Sequence, residues 1–130
     1  MKSFKLSFGI ISILRKDLAE VIVNDGIEMN IVQAEEYLDF LLNNLQSPFS
    51  LLINKKHSYT YTFEAQKMIV SNEKIKNLAV VIGTSGGLMS SETLLSLNKN
   101  SNWNTRFFSN RDEGIAWLSK KSHNKNSQTL

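Results

Sequence analysis

The sequence lacks cysteine altogether and has one proline, two histidines and no long apolar run. Without cysteine, disulfides, thiolate metal sites and thiol nucleophiles are excluded, and two histidines offer little for zinc. We therefore expect no metal and no cofactor. No stretch approaches the ~20 consecutive apolar residues of a membrane span, and the opening residues alternate like a strand and lack a signal-peptide cleavage site. These absences predict a cytoplasmic protein.

A strong excess of charge of one sign is also missing, since 15 lysines and arginines oppose 12 acidic residues, for a net charge of +3. The basic residues are scattered, with short clusters at Lys55 and Lys56 and at Lys120, Lys121 and Lys125. Neither cluster is interleaved with the glycines and aromatics of an RNA-binding strand motif. We therefore expect no nucleic-acid partner.

What the sequence does contain is the length and apolar content of one domain, 130 residues of which 42% are hydrophobic. Phe4, Leu6, Phe8 and Ile10 alternate as in a strand, and a polar turn at 15–17 leads into a second strand, LAEVIV. These two segments predict an amino-terminal hairpin.

Strands and helices then alternate along the chain. The first predicted helix runs from the capping box of Asn30 and Gln33 to Leu45, and a buried strand at Phe49–Ile53 follows. A second helix is predicted around Thr62–Val70, with Phe63 inward, and then a strand at NLAVVIG. The last predicted elements are a helix near Met89–Leu97, a strand at NTRFF and a helix capped by Asn110 with Glu113 at its third position. Strand-helix-strand crossovers imply a mainly parallel sheet. We predict a single α/β domain over residues 1–121, with a mixed, mainly parallel five-stranded sheet and about four helices. Residues 122–130 are predicted to be a flexible tail.

The chain ends in NTRFFSNRDEGIAWLSKK, in which a strand closes with Phe107 and Phe108, an acidic helix start follows, and Ala116, Trp117 and Leu118 continue the helix. With the order of elements, this ending resembles small bacterial domains of the SpoIIAA-like superfamily. That superfamily is related to the STAS domain of anti-sigma factor antagonists and to CRAL-TRIO lipid-binding domains. The resemblance implies a SpoIIAA-like fold.

One loop decides what the resemblance implies for function. In anti-sigma factor antagonists, the loop after the third strand carries an Asp-Ser-Ser-Gly motif, and phosphorylation of its serine controls docking to a partner kinase. The matching segment here is NKKHSYTYTFEA, which has Ser58, Thr60 and Thr62 but neither the aspartate nor the glycine. Two interpretations stay open: a phosphorylation switch on Ser58 or Thr60, or a solvated Ser58 with Thr60 or Thr62 capping the next helix.

A second loop, GTSGG, follows the strand LAVVI. It contains no lysine and so is not a P-loop, and Gly83, Gly86 and Gly87 do not have the Gly-x-Gly-x-x-Gly spacing of a dinucleotide fingerprint. The loop is either an anion site at a helix amino terminus, using Thr84, Ser85, Gly86 and Gly87, or a plain turn in which glycine provides positive φ.

The carboxyl ends of parallel strands share one edge of a sheet, and ligands favour that edge. We therefore expect the two loops to be neighbours. The side chains expected to face the same solvent region are those of Lys55, Lys56, His57, Ser58, Tyr59 and Ser85.

Catalytic signatures do not stand out at this edge. A receiver domain needs an aspartate at the end of its third strand, where this chain has Asn54. Serine catalysis needs a histidine and an orienting acid, and although His57 adjoins Ser58, neighbours in sequence usually point apart. We expect no catalytic residue and a non-enzymatic protein.

Two function classes remain. The first is a regulatory or protein-interaction domain of STAS-like, anti-sigma factor antagonist-like type, which binds a protein partner through the strand-end edge. The second is a small-ligand or lipid-binding domain, because the related lipid-binding family holds an apolar ligand between helices and sheet, and the helical segment YLDFLL offers a lining. Trp117 is predicted to be core, whereas Trp103 either covers the edge of the core or makes a homodimer contact.

Overall fold

The computed structural model describes residues 2–82 and 104–128, with side chains described for 2–69, 71–82 and 104–121. The strands are β1 (Lys2–Leu6), β2 (Gly9–Arg15), β3 (Leu18–Val23), β4 (Glu28–Met29), β5 (Phe49–Asn54), β6 (Thr60–Tyr61), β7 (Ile75–Val81) and β8 (Asn104–Phe108). The helices are α1 (Ile31–Asn44), α2 (Phe63–Val70) and α3 (Arg111–Gln128). The helix predicted near Met89–Leu97, the loop with Thr84, Ser85, Gly86 and Gly87, and Trp103 all lie outside the described residues.

Six of these strands form one mixed sheet in the order β1-β2-β3-β5-β7-β8. Strands β1, β2 and β3 are antiparallel neighbours, whereas β3, β5, β7 and β8 run parallel. The two short strands β4 and β6 pair in parallel as a separate small sheet. Because α1 connects β3 to β5 and α2 connects β5 to β7, the predicted α/β architecture is confirmed.

The main sheet has six strands, not the five predicted, because the first apolar stretch folds back on itself. A two-residue turn at Ser7 and Phe8 joins β1 to β2, with Leu6 opposite Gly9. A Cβ on Gly9 would lie 2.1 Å from the carbonyl oxygen of Ile22, so only glycine allows β2 to approach β3 this closely. The turn reverses the alternation, which leaves Ile10 40% exposed. The predicted amino-terminal hairpin is present as β2 and β3.

The sheet carries a helical layer on each face. Helices α1 and α2 pack on one face through buried side chains such as Tyr37, Leu41 and Ile69. Helix α3 packs on the other face, where Leu118 meets Leu52 and other buried residues of β3, β5 and β7. Strand β5 has buried residues on both faces, as the sequence predicted.

Local signals set the helix starts. Asn30 accepts a hydrogen bond from the Gln33 amide, and the Gln33 side chain accepts one from the Asn30 amide, which confirms the capping box. Thr62 caps α2 by accepting from the Ala65 amide at 3.2 Å. The expectation that Phe63 faces inward is wrong, because this first residue of α2 is 77% exposed.

Helix α3 begins at the predicted cap, since the Glu113 amide donates to Asn110 Oδ1 at 2.9 Å. A Cβ on Gly114 would lie 2.8 Å from Leu52 Cδ1, so glycine brings the helix close to the sheet. Leu118 is buried, whereas Trp117 is only partly buried against Phe108. The helix extends to residue 128, over most of the segment that the sequence assigned to a tail. No helix in the described ranges has the length and apolar character needed to cross a bilayer.

Candidate functional site

The loop between β5 and α2, residues 55–62, is held firmly at the carboxyl edge of the sheet, and we call it the carboxyl-edge loop. The Gly26 amide donates to the carbonyl oxygen of Ser58 at 2.8 Å, and the Ser58 amide donates to Asp25 Oδ1 at 3.1 Å. The Thr60 amide donates to the Ile27 carbonyl at 3.0 Å. Because these bonds run through the backbone of the loop, they fix its path without using its polar side chains.

The turn that receives the loop depends on a glycine. Gly26 has φ of +78°, in the left-handed region that glycine adopts at little cost. A Cβ there would meet nothing within 4 Å, so the constraint is conformational and not steric. The same turn also binds the carboxyl-edge loop through the side chain of Asp25.

Four predicted site residues are exposed on this loop: Lys56, His57, Ser58 and Thr60. Ser58 is exposed, and its hydrogen bonds to other described residues run through its backbone. Of the three hydroxyl side chains considered in the sequence, Thr62 is the helix cap. Ser58 and Thr60 are therefore the hydroxyls that the loop presents outward.

Lys55 and Tyr59 do not face solvent, contrary to expectation. Lys55 is 7% exposed and Tyr59 is 6% exposed. The Lys55 ammonium lies 3.7 Å from the centroid of the Tyr59 ring, and the Lys55 amide donates to the Val81 carbonyl at 3.0 Å. The lysine therefore packs over an aromatic face at the end of β5 instead of extending into water.

The tyrosines form a buried cluster beneath the loop. The Tyr59 and Tyr61 rings meet edge to face with centroids 5.7 Å apart. Burial raises the pKa of Tyr37, Tyr59 and Tyr61, and neighbouring tyrosines raise that of Tyr37 and Tyr59 further. The phenol groups are thus held in the neutral form, in which they act as hydrogen-bond donors and acceptors.

A second polar cluster lies on the α3 face of the sheet, around a carboxylate that the sequence analysis did not single out. Glu20, in the middle of β3, is 6% exposed. Arg111 Nε lies 3.0 Å from both carboxylate oxygens and its Nη2 lies 2.9 Å from Oε1. Asn54 Nδ2 donates to Oε2 at 3.0 Å. The signal that could have identified this site is the single acidic residue inside the otherwise apolar strand LAEVIV.

The electrostatics of this cluster connect it with the loop. Burial alone would raise the pKa of Glu20, but hydrogen bonds from Arg111 and Asn54 outweigh the effect of burial. The pKa of Glu20 is therefore held below its ordinary value. The positive charge of Lys56 contributes to the lowering. Lys56 therefore lies at the carboxyl-edge loop and also within electrostatic reach of Glu20, and the cluster is stabilised as an ion pair.

Among the described residues, no three acidic or histidine side chains are grouped so that they could hold a metal ion. The second predicted site, Thr84, Ser85, Gly86 and Gly87, begins beyond Ile82 and is not among them. Comparisons with protein-family models, with curated proteins and with solved structures find no match to this chain.

Proposed function

We propose that this chain is a non-enzymatic regulatory or protein-interaction domain of STAS-like type, which binds a protein partner through the carboxyl-edge loop. The observation that supports the proposal is that the loop backbone is fixed by hydrogen bonds to residues 25–27 while Lys56, His57, Ser58 and Thr60 are exposed. A preorganised loop with exposed polar side chains loses little conformational entropy on binding. A cytoplasmic location belongs to the same proposal and is based on sequence composition.

Phosphorylation of Ser58 or Thr60 is the regulation that we propose for this surface. A phosphate adds about −1.5 to −2 charges near pH 7. At Ser58 it would stand beside the Asp25 carboxylate, which accepts a hydrogen bond from the Ser58 amide, and two residues after the cationic Lys56. The phosphate would roughly cancel the charges of the two lysines in the loop, and a partner that recognises one charge state would be released by the other.

The test is an intact mass measurement, under native and denaturing conditions, of the tagged protein isolated from its own host. Phosphate that maps to Ser58 or Thr60, together with a protein retained in the native spectrum, is the expected result. Ser58→Ala and Thr60→Ala variants are the matched controls, because each removes one acceptor hydroxyl. A bare polypeptide mass under both conditions would contradict the proposal.

The same spectra test the alternative of a small-ligand or lipid-binding domain. That function requires a non-covalent adduct of small mass that is lost on denaturation. Tyr37, Leu38 and Leu41, from the segment that was expected to line a cavity, are buried in the described structure. We therefore propose the interaction domain first, and a retained lipid would reverse that order. A mass of twice the chain would indicate that the partner is a second copy.

A further inference from the structure

Lys55 is an unusual lysine because its side chain is buried and no carboxylate of the described residues forms an ion pair with it. It is 7% exposed, and the one contact of its ammonium in the described structure is with the Tyr59 ring, 3.7 Å from the centroid. The single described ion pair belongs to Glu20 and Arg111. The described titratable group that contacts the amine is therefore Tyr59, whose ring meets that of Tyr61 at 5.7 Å between centroids.

Contact with an aromatic ring face compensates only part of the hydration free energy that a charged amine loses on burial. Cation–π contacts contribute roughly 0.5 to 2 kcal/mol, whereas the burial of an unpaired ammonium costs several kcal/mol. Burial therefore lowers the pKa of Lys55 to about 8, which increases the neutral fraction of the amine near neutral pH. At pH 7.5 about a quarter of such an amine is neutral, against about one thousandth of a lysine with the model-peptide pKa.

A neutral lysine amine in a desolvated site is a nucleophile. We propose that Lys55 is a modification site that accepts an acyl group from an activated donor, either an acyl phosphate or an acyl thioester. The amine nitrogen attacks the acyl carbonyl and a C–N bond forms. The bond from the carbonyl carbon to the phosphate oxygen or the thioester sulfur breaks, phosphate or thiolate leaves, and the amine proton passes to solvent. No oxidant or reductant is needed.

The environment also favours the product over the starting amine. An amide of Lys55 is uncharged, so acylation removes the charge that is costly to bury at the end of β5. It also removes the cation–π contact with Tyr59, which lies in the carboxyl-edge loop between the exposed Ser58 and Thr60. Acylation would therefore alter the packing beneath that loop. The inference depends on the setting of Lys55 and not on the proposed partner function.

The test is competitive labelling of the folded, full-length chain. Separate samples are treated briefly with acetyl phosphate or acetyl-coenzyme A over a series of pH values, denatured and then saturated with a deuterated acetylating reagent. Fragment masses give the fraction acetylated at each lysine before unfolding. Lys56 is the internal control, because it is adjacent in sequence but exposed. The two donors distinguish the source of the acyl group.

At pH 7.5 we expect the labelled fraction of Lys55 to be at least about ten times that of Lys56 with one donor or both. This ratio is smaller than the excess of neutral amine over a model-peptide lysine, because a less basic amine is a weaker nucleophile and a buried one is less accessible. Its labelling should level off above pH 8, as the amine becomes fully neutral. Labelling of Lys55 at or below that of Lys56 with both donors would overturn the proposal. Because this comparison uses the unaltered protein, it does not depend on any variant folding.

Discussion

Replacement of Arg111 with alanine should destabilise the fold, because it leaves a buried carboxylate without its cation. In the structure, Glu20 receives hydrogen bonds from Arg111 Nε at 3.0 Å to each oxygen, an ion pair from Nη2 at 2.9 Å and one bond from Asn54 at 3.0 Å. The variant keeps only the bond from Asn54. Glu20 is 6% exposed, so little water can replace the lost donors.

The size of the effect depends on how far Glu20 and Arg111 are each exposed to solvent. The removal of one partner of a fully buried pair costs about 3 to 5 kcal/mol. The Arg111 side chain is 41% exposed, however, so solvent already screens part of its interaction. We therefore expect the free energy of unfolding to fall by about 2 kcal/mol. Glu20→Gln should cost less, because it leaves no buried charge and the partly exposed Arg111 can be hydrated instead.

The assay is urea unfolding followed by tryptophan fluorescence, since Trp117 lies on α3 against Phe108. A double-mutant cycle with Glu20→Gln and Arg111→Ala isolates the pair, and we expect a coupling energy of about 1 to 2 kcal/mol. The folded-state pKa of Glu20 is lowered, so its stabilising contribution is present above the unfolded pKa and lost as the pH falls through the folded value. The cost of Arg111→Ala should therefore diminish below about pH 4.

Two outcomes would refute this reasoning. One is a loss under about 0.5 kcal/mol for Arg111→Ala, which is the range of ordinary surface substitutions. The other is the same loss in the Glu20→Gln background, because the arginine would then act through packing and not through the carboxylate. A cost that does not change with pH would support the second explanation.

Three further predictions concern packing and titration. Gly114→Ala should lower the free energy of unfolding by about 1 to 2 kcal/mol, because the new methyl group would lie 2.8 Å from Leu52. This cost should exceed the gain from the better helix propensity of alanine. If urea unfolding showed a more stable variant, α3 would have to shift away from the sheet to accommodate the methyl group. Leu118→Ala should lower the free energy of unfolding by about 2 to 4 kcal/mol, because Leu118 is 1% exposed. Trp117→Ala should lower it less, since Trp117 is only partly buried. A larger loss for Trp117→Ala would contradict this packing. All three tyrosines of the chain have raised pKa values, so their stabilising contribution is present below the unfolded pKa and lost as the pH rises through the folded one. Tyrosinate absorbance should therefore stay flat through about pH 10 and rise only when the protein unfolds. If one third of the absorbance change occurred near pH 10, one of the three tyrosines would titrate normally, which would contradict the buried cluster.

Much of the fold could be predicted because the signals are local. The caps at Asn30, Thr62 and Asn110 each involve a side chain and an amide three residues away, and the structure has all three. The buried strand β5 was evident from its continuous apolar run. Such signals need no knowledge of the rest of the chain, and they suffice for the α/β class.

Two errors occur where the residue type or the apolar alternation conceals the local structure. The turn at Ser7 and Phe8 has no glycine or asparagine at its centre, so the apolar alternation through Ile10 concealed it. Phe63 has the residue type of a core position, but it is the first residue of α2 and points outward.

The candidate site shows the same division. The exposure of Ser58 was predicted from the loop itself, whereas the sequence left Thr60 open between a helix cap and a phosphorylation site. The burial of Lys55 depends on how its side chain folds over Tyr59, and the pair of Glu20 and Arg111 joins residues 91 positions apart. Neither contact has a signature in the spacing of residues, because each is created by the packing of the loop or of α3 on the sheet.

Affinity measurements show whether the carboxyl-edge loop binds a protein partner under control of its hydroxyls. The partner retained in the native mass spectrum would be titrated against the unmodified chain, Ser58→Asp, Thr60→Asp and the control Gln46→Glu. The control adds a similar negative charge at an exposed position before β5, at the opposite edge of the sheet. We expect at least one loop variant to change the dissociation constant about tenfold or more, and the control to leave it unaltered. Equal affinities for all four proteins, or an equal change in the control, would contradict the account.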